Sequence, residues 1–193
     1  MAANNPIFDL NTVNLPIWNI RGEFDGHLAL LTDESFLKQL HPLGQEVSLP
    51  NCTFHAHCLP RNVLTYMMQR SILSVEACVS AAVTNRIAAM GKLDDSMIAK
   101  LDDPFNIPPK GGGTAHTFYN KLPSEVDPAL ALQAMCPELW AQVREFYRHV
   151  RNRLFHGYQL ESGSVQGVLE AHRMLAKVYA WMDEWWDINA MRI

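Results

Sequence analysis

The chain has 193 residues and a mass of 21.8 kDa, enough for one domain with a core, or one domain plus an appendage. Apolar residues make up 48% and charged residues 19%, which excludes a disordered chain. A formal net charge of −4 and a pI near 6.0 exclude a globally basic nucleic-acid coat and leave room for a locally basic site.

The first residues, MAANNPIFDL, carry neither a basic n-region nor an apolar h-region, so no secretory signal is expected. Residues 1–60 hold five prolines and short apolar pieces such as Ile17–Ile20 and Cys52–Cys58. They read as an irregular N-terminal extension of loops and two short strands. A helix is expected within it from about Thr32 to Leu40, with Thr32 as N-cap and Asp33 and Glu34 in the first turn. Apolar runs such as Leu28–Leu31 are far shorter than the roughly 18 residues of a membrane span, so no membrane partner is expected.

From Arg61 to Met90 apolar residues recur at three- and four-residue steps: Leu64, Met68, Ile72, Val75, Val79, Val83 and Ile87. Pro60 before and Gly91 after match the usual start and stop of a helix. A shorter helix is expected from about Asp94 to Leu101. Residues 102–136, broken by Pro104, Pro108, Pro109, Pro123 and Pro128 and by Gly111-Gly112-Gly113, read as a long loop insertion. A third long helix starts at Pro137 and stops at Gly157, with Leu139, Trp140, Val143, Phe146, Tyr147, Val150 and Leu154 on its apolar face. The last helix runs from about Ser164 to Asn189. Long amphipathic helices must bury their faces on one another, so the expected fold is an all-α helical bundle over 61–193.

Cys52, His55, His57 and Cys58 form C-x2-H-x-H-C, and thiols with imidazoles are the ligand types of zinc. All four could serve one ion only if the backbone folds tightly, because adjacent His57 and Cys58 point to opposite faces of a strand. The plainer reading is a strand with a few polar side chains, and no cofactor is expected. Four unevenly spaced cysteines point to a reducing, cytoplasmic compartment. Trp181, Trp185 and Trp186 read as core or dimer-interface residues, and His172 as a core histidine. The Gly111–Gly113 run lacks the spacing of a P-loop.

The most informative stretch is the end of the third helix. Arg144, Arg148, His149, Arg151, Asn152, Arg153 and His156 put four arginines and two histidines within 13 residues, with Glu145 as the acidic neighbour. Arg144 and Arg148 are an i, i+4 pair, as are His149 and Arg153. Like charges at that spacing repel by a few tenths of a kcal/mol, roughly. The helix dipole favours cations there in any case, and an anion is the simple candidate for what else compensates them.

Arg151-Asn152-x3-His156-Gly157 closing an amphipathic helix resembles the signature of the HEPN superfamily. Arg151, His156 and Tyr158 also fit the longer pattern of some HEPN toxins. Glu76, on the apolar stripe of the first long helix, is similar to the acidic residue that the family carries on an early core helix. A buried carboxylate needs a partner, and Arg151 is the natural one. The resemblance spans about residues 61–190.

It implies a HEPN-like helical bundle, a homodimer with facing motifs, and a metal-independent endoribonuclease acting as a toxin or defence effector. The RNA 2′-hydroxyl would attack the adjacent phosphate and leave a 2′,3′-cyclic phosphate. His156 would move the proton, Arg151 would clamp the phosphate, and Asn152 would orient the site. Glu76 and Tyr158 would support it. Arg144, Arg148, His149 and Arg153 would extend an RNA-binding surface. In some family toxins a tyrosine at the place of Tyr158 is modified by an antitoxin nucleotidyltransferase, a further possible partner. The alternative is a non-catalytic HEPN-like nucleotide-binding or adaptor dimer. Arg151 and His156 diverge by about 140° on an unbroken helix. Either the helix ends near Gly157 or the site combines two subunits.

Overall fold

A computed structural model describes residues 17–36, 46–49, 52–55, 58–102, 113–157 and 165–186. It is a helical bundle with one short hairpin. Helix α1 (Ile17–Thr32) places Phe24 and Leu31, seven residues apart on one face, in the core. This overturns the expectation of loop or strand at Ile17–Ile20. The exposed Gly22 and Gly26 each cost a helix about 1 kcal/mol relative to Ala. Burying a Phe and a Leu contributes roughly 1.5–3 kcal/mol apiece and outweighs them.

Thr32 closes α1 instead of capping the next helix. Its hydroxyl lies against the Leu28 and Ala29 carbonyls, at 3.1 and 2.9 Å. Asp33 does the capping, with Oδ1 accepting from the Phe36 amide at 2.8 Å, and a helical turn covers 34–36. Residues 37–40 of the expected helix lie outside the described residues. Strands β1 (Glu46–Leu49) and β2 (Cys52–His55) pair antiparallel, with Leu49 opposite Cys52 at the turn.

Helix α2 (Cys58–Ala89) is the central element. It packs against α1, against the helical stretch 117–126, against Asn152–Phe155 and against the last helix. Met68, Ile72, Val75, Val79, Val83 and Ile87 are all buried. Its end is a Schellman motif: the Lys92 amide donates to Ile87 O (3.1 Å) and the Gly91 amide to Ala88 O (2.9 Å). Gly91 has φ +67°, with open space where a Cβ would stand, so backbone conformation and not crowding calls for glycine. Val63–Ala89 is long and apolar enough to cross a membrane by length and composition. Half of it is buried inside the bundle, and its apolar residues make the core.

Helix α3 (Asp95–Asp102) is capped by Asp94, whose Oδ1 accepts from the Met97 amide at 2.7 Å. The expected loop over 102–136 is largely helical where it is described. Gly113–His116, a π-helical turn at Thr117–Lys121, and Leu122–Val126 run on as one helix, α4. Pro123 misled the sequence reading. It lacks an N–H, but it sits where the ladder changes step, after the Leu122 amide has reached back five residues to Thr117 O. A 3-10 turn (Pro128–Leu130) and α5 (Leu132–Met135) follow. Ala115, Tyr119, Leu122 and Leu132 enter the core from this segment.

Pro137–Phe146, a second π turn at Tyr147–Arg151, and Asn152–Phe155 form α6. Helix α7 (Val165–Trp185) closes the bundle and buries Leu175, Val178, Trp181 and Met182. Trp181, Trp185 and Trp186 are core residues, with Trp181 and Trp185 rings 5.5 Å apart.

Candidate functional site

The site forms where α2, α4 and α6 meet. Glu76 of α2 is 4% exposed and receives three hydrogen bonds. The Tyr147 hydroxyl donates to Oε1 at 2.8 Å, Arg151 Nε to Oε1 at 3.1 Å, and Arg151 Nη2 to Oε2 at 3.3 Å. The Tyr147 proton is thereby committed to the carboxylate. Tyr119, 2.6 Å from the Tyr147 oxygen, must donate to it, so the order is Tyr119 to Tyr147 to Glu76. Burial first, then the neighbouring Glu76 charge, pushes the Tyr119 phenol far up. Burial, the Tyr119 side chain and Glu76 do the same to Tyr147. Both stay protonated donors.

The Arg151 side chain is 16% exposed and stacks on Phe155, with its guanidinium carbon 4.2 Å from the ring centroid. Only two of its five N–H groups are spent on Glu76. Gln69 Nε2 donates to Leu154 O at 3.0 Å and ties the end of α6 to α2.

Both tyrosines stand in π turns, and for Tyr147 the geometry explains why. Leu139, Val143, Tyr147 and Arg151 are four residues apart and all face inward. A plain α-helix advances 100° per residue, so four-residue steps drift by about 40° each. A π turn slows that advance and keeps Tyr147 and Arg151 both on Glu76.

Helix α6 ends at Phe155, and His156 is its C-cap with φ −92° and ψ 14°. Gly157 follows at φ +85°. The helix therefore does end beside the motif. Asn152 and His156 are exposed, one turn apart, and neither side chain has a hydrogen-bond partner among the described residues. Tyr158 lies outside the described residues. So do His57 and the side chains of Cys52, His55 and Cys58.

The basic residues divide. His149 Nε2 is 3.2 Å from Glu145, which also stands 3.8 Å from Arg144. All three are more than half exposed, so these pairs contribute little. Arg153 is exposed on the helix surface. Arg144, Arg148 and Asn152 line one cleft of about 280 Å³ together with His116, Trp140 and Tyr147. Burial, then the Lys121 charge, holds the His116 imidazole below its usual value.

Sequence reasoning placed Glu76 against Arg151 but missed Tyr119, Tyr147, His116 and Trp140 as members of the site. Tyr147 carried a usable signal: a tyrosine on an apolar stripe must find a partner for its hydroxyl. His172 is in the core as expected, with Nε2 3.0 Å from Ser71 Oγ, and Nδ1 has no partner among the described residues. Comparison with family models, curated proteins and solved structures gives no match.

Proposed function

We propose that this chain is a metal-independent endoribonuclease of HEPN type, working as a dimer with facing motifs and acting as a toxin or defence effector. The observation that carries the reading is the Glu76–Arg151 pair set beside an exposed Asn152 and His156 at a helix end. A neutral imidazole at His156 takes the proton of the RNA 2′-hydroxyl. The 2′-oxygen bonds to phosphorus and the bond to the 5′-oxygen breaks. An imidazolium from the facing copy protonates the leaving oxygen. Arg151, with three N–H groups left and its plane fixed by Glu76 and Phe155, meets the charge that develops on the phosphoryl oxygens. Asn152, one turn before His156, orients the substrate.

The test is cleavage of a labelled mixed-sequence RNA in EDTA by wild type and His156→Ala. The expected outcome is cutting by wild type alone, leaving cyclic-phosphate ends, with a loss on the order of 10²-fold or more in the variant. Equal cutting by both proteins overturns the assignment. No cutting by a folded wild-type dimer favours the binding or adaptor alternative.

A further inference from the structure

Helices α1 and α7 pack on α2 and on each other, and a polar cluster lies at their junction. Ser71 of α2 and His172 of α7 have no accessible surface, and His27 of α1 is half-buried. The Ser71 hydroxyl donates to Met67 O at 2.7 Å, because a carbonyl can only accept. Its oxygen lies 3.0 Å from His172 Nε2 and 3.3 Å from His27 Nδ1. With its one proton spent, that oxygen accepts from both rings, so each ring carries a proton on the nitrogen facing Ser71. The other His172 nitrogen, Nδ1, is then a bare acceptor, buried and without a partner among the described residues. The Phe24 ring of α1 covers the His172 imidazole, with centroids 4.8 Å apart, and meets Tyr179 at 5.0 Å.

This arrangement suits two neutral imidazoles and no others. A second proton on His172 would sit on Nδ1, buried where no described group accepts from it. Among the described residues, the charged groups that act on the two rings, besides the rings themselves, are Glu23 of α1 and Arg70 of α2. Glu23 is already held by Arg70 through two contacts, at 2.7 and 2.6 Å. Protonation would set one imidazolium on α1 and another on α7 around a single hydroxyl, beside a guanidinium on α2. One carboxylate faces three cations in that state, and the cations repel across the contacts that seat α1. Helix α1 is also loosely held elsewhere. Among the described residues it buries two side chains, Phe24 and Leu31, and residues 33–57 separate it from α2 in the chain. The Glu76 network, by contrast, ties α2 to α4 and α6 away from this junction.

We propose that α1 is an acid-released strap: when the His27–Ser71–His172 cluster takes up protons, Ile17–Thr32 leaves α2 and α7 while the rest of the bundle stays folded. The device does not depend on the ribonuclease reading. With α1 seated, burial and then the His27 charge lower His172 to about 4, and burial lowers His27 against the opposing pull of Glu23. Uncovered, both rings return to an ordinary value near 6.5. A histidine depressed in the docked state protonates first in the undocked one. Docking is therefore complete above about pH 6.5 and weakens as the pH falls towards 4. From pH 7 to 5, His172 alone multiplies the undocked fraction by about 20.

The test is hydrogen exchange of the full chain by mass spectrometry at pH 7, 6 and 5, with rates corrected for the intrinsic effect of pH. Peptides within 17–32 should lose about tenfold or more of their protection between pH 7 and 5, and peptides within 137–155 less than about threefold. Ring titrations of the wild-type protein by NMR should show His27 and His172 taking up protons over the range in which α1 loses protection. His27→Gln keeps a donor for Ser71 and does not titrate, and His172→Phe keeps a ring against Phe24. Each should reduce the loss, and the two together should hold it under about threefold, with both variants checked for wild-type melting at pH 7. Glu23→Gln should loosen α1 equally at every pH and leave the pH dependence in place. Three results overturn the proposal. One is a loss of protection shared equally by all helices, and another is rings that titrate while α1 stays protected. The third is a pH dependence that survives in the histidine variants and vanishes in Glu23→Gln.

Discussion

Glu76 and Arg151 set the terms for any mutational study of this site. The carboxylate is buried, and its three donors come from two side chains of one helix. Removing one partner of a buried pair typically costs about 3–5 kcal/mol, because the other charge stays buried. Arg151→Ala is therefore expected to lose stability of that order in urea denaturation. Arg151→Lys keeps the charge, gives up the two-point contact, and should lose less. An inactive Arg151→Ala variant would thus say nothing about the proposed cleavage unless its fold were checked. His156 is exposed and has no side-chain partner among the described residues, so His156→Ala is the cleaner probe. The Glu76–Arg151 pairing was legible in the sequence because the family resemblance drew attention to an acidic residue on the apolar stripe, and a buried carboxylate needs a partner. The two tyrosines were not read, because nothing in a list of apolar positions separates a tyrosine that packs from one that must also donate.

At the scale of elements, termini were more legible than interiors. Pro137 opens α6 and Gly91 and Gly157 close α2 and α6, as their backbone preferences dictate. Gly91→Ala forces a left-handed conformation on a residue with a Cβ, with free space around it. The expected loss is about 1–2 kcal/mol, read as a lower melting temperature with the helix content unchanged. The segment 113–135 was misread because local breakers were weighed without tertiary burial. Tyr119, Leu122 and Leu132 have no accessible surface, and that burial outweighs a proline and several weak helix formers. Helix α1 was missed for the same reason. Neither π turn was foreseen, since both depend on which partner the helix meets.

Across the whole molecule, buried histidines tie stability to pH. His172 is fully buried, and burial first, then the charge of His27, lowers it from 6.5 to about 4. His27 is lowered as well, chiefly by burial. A histidine whose value is depressed in the fold takes up its proton first in the unfolded chain. Stability is then fully present above about pH 6.5 and declines as the pH falls towards 4. For His172 alone the decline is on the order of 3 kcal/mol. Urea midpoints at pH 7, 5.5 and 4 should show it, and His172→Phe should flatten that part of the slope. A slope unchanged in His172→Phe would assign it to other groups. The paired π turns have a different consequence. Each acts as one extra tooth on a gear, so the length of a helix and its angular phase are set independently. Deleting one of residues 148–150 would turn the wide π turn into an ordinary α turn and leave α6 helical, with the residues beyond it close to their present phase. Leu154 would then stay in the core, while Tyr147 and Arg151 lost the four-residue spacing by which both meet Glu76. One codon can in that way undo the paired contacts to Glu76 without rebuilding the core.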